Sequence, residues 1–256
     1  MKLPKISIVT PSYNQAPFLE ATIQSVLSQN YPNLEYIIID GGSTDGSVDI
    51  IHKYAEYLTY WVSESDNGQT DALIKGFNRA TGDILGWLCS DDLLEPWTFQ
   101  EVAEFFSQNP QARVVYGDTT WIDTKDRLLK IRKELAFNRF ILLYEHNFIP
   151  QPSTFWRRDL YEEVGGLNTK FDVAMDADLW LRFSEITHLY HRRRPWSRMR
   201  IYPEQKTYRL LSQKNLEKKI LRQKYYGDES NYAVRAKKIF AKGIRLSWKL
   251  AAGCYW

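Results

Sequence analysis

Cysteine is nearly absent from this 256-residue chain, occurring only at Cys89 and Cys254. Two thiols make no disulfide framework and have no zinc-ligand spacing, so a reducing compartment is implied. The chain also lacks any run of about 18 consecutive apolar residues, the least a membrane-spanning helix needs. Residues 1–5 lead into a short apolar run that meets Pro11 and Asn14, which fits neither a signal peptide nor a targeting helix. These absences predict a cytoplasmic protein and leave open peripheral residence on the inner face of the cell membrane. The usual glycine cradles for phosphate are missing too. No GxxxxGK[ST] occurs, and Gly41 to Gly46 reads GGSTDG rather than GxGxxG, which suits a tight turn with Ser43 or Asp45 capping the next helix.

What is present excludes disorder: 44% hydrophobic and 14% aromatic residues supply a sizeable core. The net charge of +3 is a cancellation. Residues 1–186 carry 16 Lys+Arg and 27 Asp+Glu, a net of −11, whereas residues 187–256 carry 18 and 4, a net of +14. An acidic body is followed by a basic tail, and the division predicts a domain over 1–205 with an extension over 206–256.

Ile6 to Val9 is an apolar run ended by a polar, proline-containing turn, after which Phe18, Leu19, Ile23, Val26 and Leu27 recur at helical spacing. The same strand, loop, helix pattern returns from Tyr36, from Leu58 into 69–79, and from Ile84 into 97–106. Such alternation predicts an α/β fold, a mainly parallel sheet with helices on both faces. Residues 113–133 carry β-rich runs around polar turns and predict a small antiparallel addition, and from Lys206 onward a basic helical tail is expected. In parallel sheets of this kind ligands sit beyond the carboxyl ends of the strands.

Acids fall at those ends. Asp40 follows the second strand, Glu64 and Asp66 the third, Asp91 and Asp92 the fourth. Like charges gathered on one rim repel and need compensation, and a divalent cation, Mn²⁺ or Mg²⁺, is the simplest compensator. A diphosphate held through such an ion fits the chain better than one cradled by glycines.

Three stretches, 6–14 (ISIVTPSYN), 39–46 (IDGGSTDG) and 90–92 (SDD), together with the 175–182 segment (MDADLWLR), resemble the inverting family-2 glycosyltransferases of GT-A fold, of the bacterial cell-surface polysaccharide type. The similarity runs over about residues 5–210 in the expected order. It implies that Thr10, Pro11, Tyr13 and Asp40 hold the nucleotide base, a uracil N–H donating to Asp40. It further implies that Asp91 contacts the ribose, that Asp92 ligates the metal bridging the diphosphate, and that Asp66 and Asp71 line the donor site. The donor is then a nucleotide-diphosphate sugar, UDP-linked, and the acceptor a hydroxyl of a glycan or lipid-linked intermediate.

In the resemblance the 175–182 region supplies the catalytic base. Asp176 takes that place, with Asp178 as the alternative, while Met175 stands where relatives carry Glu. Direct displacement with inversion needs one carboxylate to accept the acceptor proton. Asp178, two residues on, would face away from Asp176 along a helix. Tyr202 stands where many relatives carry His, and a tyrosine is a poor ligand for hard cations at neutral pH. Residues 151–156 are expected to wall the acceptor side, where Trp156 and Trp180 either stack on sugar or belong to the core.

Residues 229–256 can be drawn as an amphipathic helix, with Tyr232, Ala236, Ile239, Phe240, Leu246 and Leu250 on one side and Lys238, Lys242, Arg245 and Lys249 on the other. It lies on an anionic membrane surface or packs on the body with its lysines in water. Two other functions compete. A nucleotidyltransferase on a related sheet calls for basic residues near the first loop, and none stands between Ile6 and Glu35. A nucleic-acid-binding protein would use the tail, but the acidic body opposes such a surface, so no nucleic acid is expected.

Overall fold

The computed structural model describes residues 3–227 and 230–251. Cys254 and the outer ends of the 229–256 segment lie outside the described residues. Strands β1 (Ile6–Ser12), β2 (Leu34–Asp40), β3 (Tyr60–Ser63) and β4 (Ile84–Trp87) alternate with helices α1 (Ala16–Leu27), α2 (Ser47–Lys53) and α3 (Gln69–Phe77). After a short β5 (Leu93–Leu94) come α4 (Thr98–Gln108), β6 (Val114–Ile122), β7 (Leu128–Arg132), α5 (Arg139–Tyr144), β8 (Thr154–Arg157) and α6 (Arg158–Glu163). The chain ends with α7 (Met175–Ile186), β9 (Leu189–Arg200), α8 (Lys206–Arg209), α9 (Leu211–Tyr226) and α10 (Tyr232–Ala251).

The strands form one sheet in the order β3-β2-β1-β4-β8-β6-β9-β5, with β7 paired to β6. The β3-β2-β1-β4 portion is parallel, and β8 and β7 are antiparallel additions. Side-chain alternation divides the core between the two faces. Ile6, Ile8, Tyr36 and Ile38 pack with residues of α1 and α4. Val9, Ile37 and Ile39 pack on the other face with residues of α3 and α7. This period of two is what a sheet covered on both sides requires.

Trp156 and Trp180 belong to this core. Both are fully buried, and Trp156 lies 5.4 Å from Trp87, 5.5 Å from Trp180 and 5.8 Å from Phe77 between ring centroids. They are therefore unavailable for stacking on a sugar. Trp156→Ala is expected to destabilise the protein by about 3–5 kcal/mol, the cost of a large core cavity, and urea unfolding measures it.

The basic tail divides in two. Helix α9 is tied to the body, with Leu221 in the core beneath α7. Helix α10 packs on α5 through Val234 and Ala241, while Tyr232, Ile239, Phe240 and Leu250 are 65–88% exposed. Most of the apolar stripe thus faces away from the body, while the Phe240 ring meets Phe140 of α5 edge-on at 6.0 Å and Leu246 is half-buried. Arg245 turns inward instead and pairs with Glu145 at 2.9 Å. Among the described residues, no helix is long and apolar enough to cross a membrane.

Candidate active site

The turns that leave β1 and β2 are stitched together. Asn14, at φ 51°, donates its N–H to Ser43 Oγ (2.8 Å) and accepts from Thr44 N (2.9 Å). Asp45 accepts from Ala16 N at the start of α1 (2.9 Å) and from Ser47 N at the start of α2 (3.0 Å), so it serves both helix starts. Asp40, fully buried, closes its own turn: Oδ2 accepts from Gly42 N (3.1 Å), Ser43 N (2.8 Å) and Ser63 Oγ (2.8 Å), and Oδ1 from Ser43 Oγ (2.6 Å). A carboxylate oxygen has two lone pairs, and Oδ1 spends one of them on Ser43 Oγ in a residue shut off from solvent.

The nearby positions behave unequally. Tyr13 is 61% exposed at the rim, and Pro11 is buried beneath it. The Thr10 hydroxyl does not reach this cluster, for it is buried against Tyr36 OH at 3.1 Å. Asp66 accepts from Gly68 N (2.8 Å) and lies so close to Gly41 that a Cβ there would meet its Oδ2 at 2.8 Å. Burial first, then the charges of Asp71 and Asp40, push the Asp66 carboxyl upward against the pull of Gly68 N and Lys75. Asp71 itself accepts from Asn67 N (3.1 Å) and pairs with Lys75 (3.5 Å), the arrangement of a helix-start residue.

Asp91 and Asp92 follow β4 at the same end of the sheet. Asp91 Oδ2 accepts from Tyr202 OH at 2.8 Å, and Asp92 Oδ1 accepts from Arg200 N at 2.9 Å. Thr22 Oγ donates to the carbonyls of Ser90 (3.0 Å) and Asp92 (2.8 Å), which fixes this turn against α1. Burial pushes both carboxyls above the usual range, and the neighbouring Asp91 charge pushes Asp92 further. The ligand atoms of Cys89, Asp91 and Asp92 lie within 4.8 Å of one another. Two carboxylates suit a hard cation, and the unfavourable charge they share is what such an ion relieves. Burial holds the Cys89 thiol protonated, and it is taken up by Gln69 Nε2 (3.2 Å) and Gln151 Oε1 (3.4 Å), so it is no ligand for Mn²⁺ or Mg²⁺. Tyr202 touches Asp91 through its hydroxyl and thus occupies the His position as a hydrogen-bond donor.

Asp176 lies in the first turn of α7, half-buried, its Oδ2 accepting from Asn147 Nδ2 (2.9 Å) and its Oδ1 from Ala177 N (2.7 Å). Burial raises its pKa; the Ala177 N–H and the charges of Lys218 and Lys214 oppose the rise. Asp178 is a different matter. It is fully buried and held by Arg182 (2.7 and 2.8 Å) and Lys224 (3.5 Å), while Arg182 also grips the Val164 and Gly166 carbonyls. A carboxylate so neutralised and enclosed is a structural tie, which removes it as the alternative base. Met175 points into the core and touches Thr70 Oγ, so the residue in the place of the family Glu lines no substrate space.

Sequence reasoning missed the residues that join these parts. Gln69 links Cys89 to Lys206 Nζ (3.0 Å), and Lys206 pairs with Asp172 at 2.8 Å. Glu217 of α9 ties down the segment that leads into α7, accepting from Asp172 N (3.1 Å), Val173 N (2.8 Å) and the N-cap Ala174 N (2.8 Å). Its signal was rarity: it is one of only four acids in the basic residues 187–256.

Residues 7–165 match Glycosyl transferase family 2. Relatives include a PGL/p-HBAD biosynthesis glycosyltransferase of Mycobacterium bovis, 33% identical over 186 residues covering 71% of this chain and 70% of the relative. An uncharacterized glycosyltransferase of Mycobacterium tuberculosis is 30% identical over 181 residues, 70% of this chain and 68% of its own. Among solved structures, S. aureus TarS 1-349 in complex with UDP-GlcNAc aligns with a TM-score of 0.65 at 16% identity, covering 78% of this chain and 60% of that one. In another TarS structure the chain spans 37% of the TarS length. The mannosyltransferase PcManGT from Pyrobaculum calidifontis, in complex with GDP-Man and Mn²⁺, aligns with a TM-score of 0.61 at 19% identity over 96% of this chain and 76% of that one. These likenesses carry the fold, and the family match carries the activity: the chain belongs to glycosyl transferase family 2, a sugar-transferring enzyme on a GT-A scaffold.

Proposed function

We propose that the protein transfers a sugar from a UDP-sugar to an acceptor hydroxyl of a glycan or lipid-linked intermediate, inverting the anomeric configuration. The observation that carries this reading is the gathering of Asp40, Asp66, Asp91 and Asp92 at the carboxyl ends of β2, β3 and β4, with Asp176 in no ion pair among the described residues. Asp40 takes the pyrimidine N–H, Tyr13 and Pro11 border the base, and Asp66 borders the donor sugar. Asp91 holds the ribose. Asp92 holds a divalent cation, Mn²⁺ or Mg²⁺, which when bound neutralises charge on the departing diphosphate. Asp176 accepts the proton of the attacking hydroxyl. Residues 1–205 form the transferring unit, and 206–256 the extension that completes it.

A panel of UDP- and GDP-sugars assayed with and without EDTA, with the product anomer read by NMR, tests the proposal. Transfer from a UDP-sugar with inversion, lost on chelation, is the expected result. Retention of configuration would overturn it.

The outward stripe of α10 supports docking to anionic lipid, each basic residue near the surface contributing about 1 kcal/mol. Wild-type protein should sediment with phosphatidylglycerol vesicles, and a variant carrying Ile239→Ser, Phe240→Ser and Leu250→Ser should stay in solution. Equal sedimentation of the two excludes docking through this face.

A further inference from the structure

The charges of two lysines of α9, Lys214 and Lys218, bear on Asp176. Glu217, by accepting from the N–H groups of residues 172–174, locks α9 against the segment that leads directly into the first turn of α7 and Asp176. Lys214 and Lys218 flank Glu217, one turn apart on the helix, and both are half-buried. Among the described residues neither has an ion pair. Lys218 loses water by burial and faces Lys214 and Arg222, and all of these lower its pKa; Asp176 alone counters them. Like charges four apart on a helix repel, and partial burial aggravates the repulsion. The surroundings add no relief. Arg132, Arg245, Lys249 and Lys218 all bear on His146, the residue before Asn147, and with burial they push His146 down to about 4, so it stays neutral. Arg132 and Arg245 are already paired with Glu134 and Glu145. The unanswered positive charge is therefore concentrated on the two α9 lysines.

We propose that Lys214 and Lys218 bind a phosphate group carried by the acceptor, a phosphomonoester or phosphodiester, and so orient the attacking hydroxyl toward Asp176. This rests on the reading of Asp176 as the base-side carboxylate. A tetrahedral oxyanion offers several acceptor oxygens, so two ammonium groups a helical turn apart share it, each as a compact, rotatable donor. The arrangement selects an anionic acceptor over a neutral sugar of the same shape.

The test needs no turnover, which separates it from any failure of the base assignment. In lysine-labelled full-length protein saturated with Mg²⁺ and UDP, the side-chain NMR resonances of Lys214 and Lys218 are followed during titration with inorganic phosphate. They are assigned through Lys214→Gln and Lys218→Gln. The expected result is a saturable shift of both resonances, with affinity falling about tenfold for each lysine removed and rising in Asp176→Asn, where the opposing charge is gone. A shift reproduced by sodium chloride at equal ionic strength, or no shift, overturns the proposal. Shifts that need phosphatidylglycerol vesicles and are absent with phosphate also overturn it, by assigning the pair to the membrane surface.

Discussion

Asp176→Asn is expected to lower the transfer rate by about 10²–10⁴-fold, the usual contribution of a positioned general base, and to leave UDP binding unchanged. Asn keeps the shape of the side chain and its single oxygen can still accept from the Ala177 N–H, while the Asn147 amide N–H loses its acceptor. A fall in rate without loss of fold separates catalysis from structure, and circular dichroism of the variant checks the latter. The pH profile gives a second readout. The base works deprotonated, and burial raises the Asp176 pKa above the ordinary aspartate value. In wild type, kcat/KM should therefore rise with pH through an apparent pKa higher than that of a free aspartate. Lys218→Gln removes a charge that favours the ionised form and should move this limb to higher pH. The linkage sign agrees: a carboxyl whose pKa is higher in the folded state than in the unfolded state costs stability as pH rises through it. Removing its charge should flatten the fall of stability with pH. An unchanged transfer rate in Asp176→Asn would mean that another group takes the proton.

The second large effect is expected at Asp92. Asp92→Asn keeps an oxygen for the Arg200 N–H but removes the negative charge, so the turn should survive while cation binding fails. The rate should fall by about 10²–10³-fold, the scale seen when one preorganised stabiliser of developing charge is lost. A Mn²⁺ titration of EDTA-treated protein measures it, with saturation in wild type and a far weaker response in the variant. Thermal unfolding offers a check free of turnover. Cation at about 100 times its dissociation constant should stabilise wild type by about 2.7 kcal/mol and the variant hardly at all. Asp92→Ala should also be less stable without metal by about 1–3 kcal/mol, because the buried Arg200 N–H then lacks an acceptor. Equal metal response in wild type and Asp92→Asn would place the cation elsewhere.

Much of this architecture is legible in the order of the residues. The apolar runs predicted from Ile6, Tyr36, Leu58 and Ile84 are β1 to β4, with Asp40 as the last residue of β2 and Asp66, Asp91 and Asp92 beyond the ends of β3 and β4, because strand periodicity and the first polar residue after a buried run are local properties. What periodicity could not reveal was the direction in which a side chain spends its hydrogen bonds. Asp40 and Asp178 look alike as acids in the sequence and both are fully buried, yet one is held by neutral N–H and O–H donors and the other is neutralised by Arg182 and Lys224. Thr10 reads as a loop residue but turns inward to Tyr36, since it is still within a strand whose both faces are covered.

The tail shows the same division. Its charge and helical period were plain from residue order, and so was an apolar stripe opposite lysines. Which side meets the body was not, because a helical pattern defines faces and leaves their partners unstated. The fold buries Val234 and Ala241 and leaves Tyr232 and Ile239 outside.

Local order along the chain thus specified the sheet, the rim of acids and the family, since each depends on residues near one another in sequence. Only the packed molecule decided which acid is neutralised by cations, and that Glu217 of the basic extension holds the entry to α7 from more than forty positions away. Burial and charge compensation are properties of neighbours in space, and no reading of neighbours in sequence contains them.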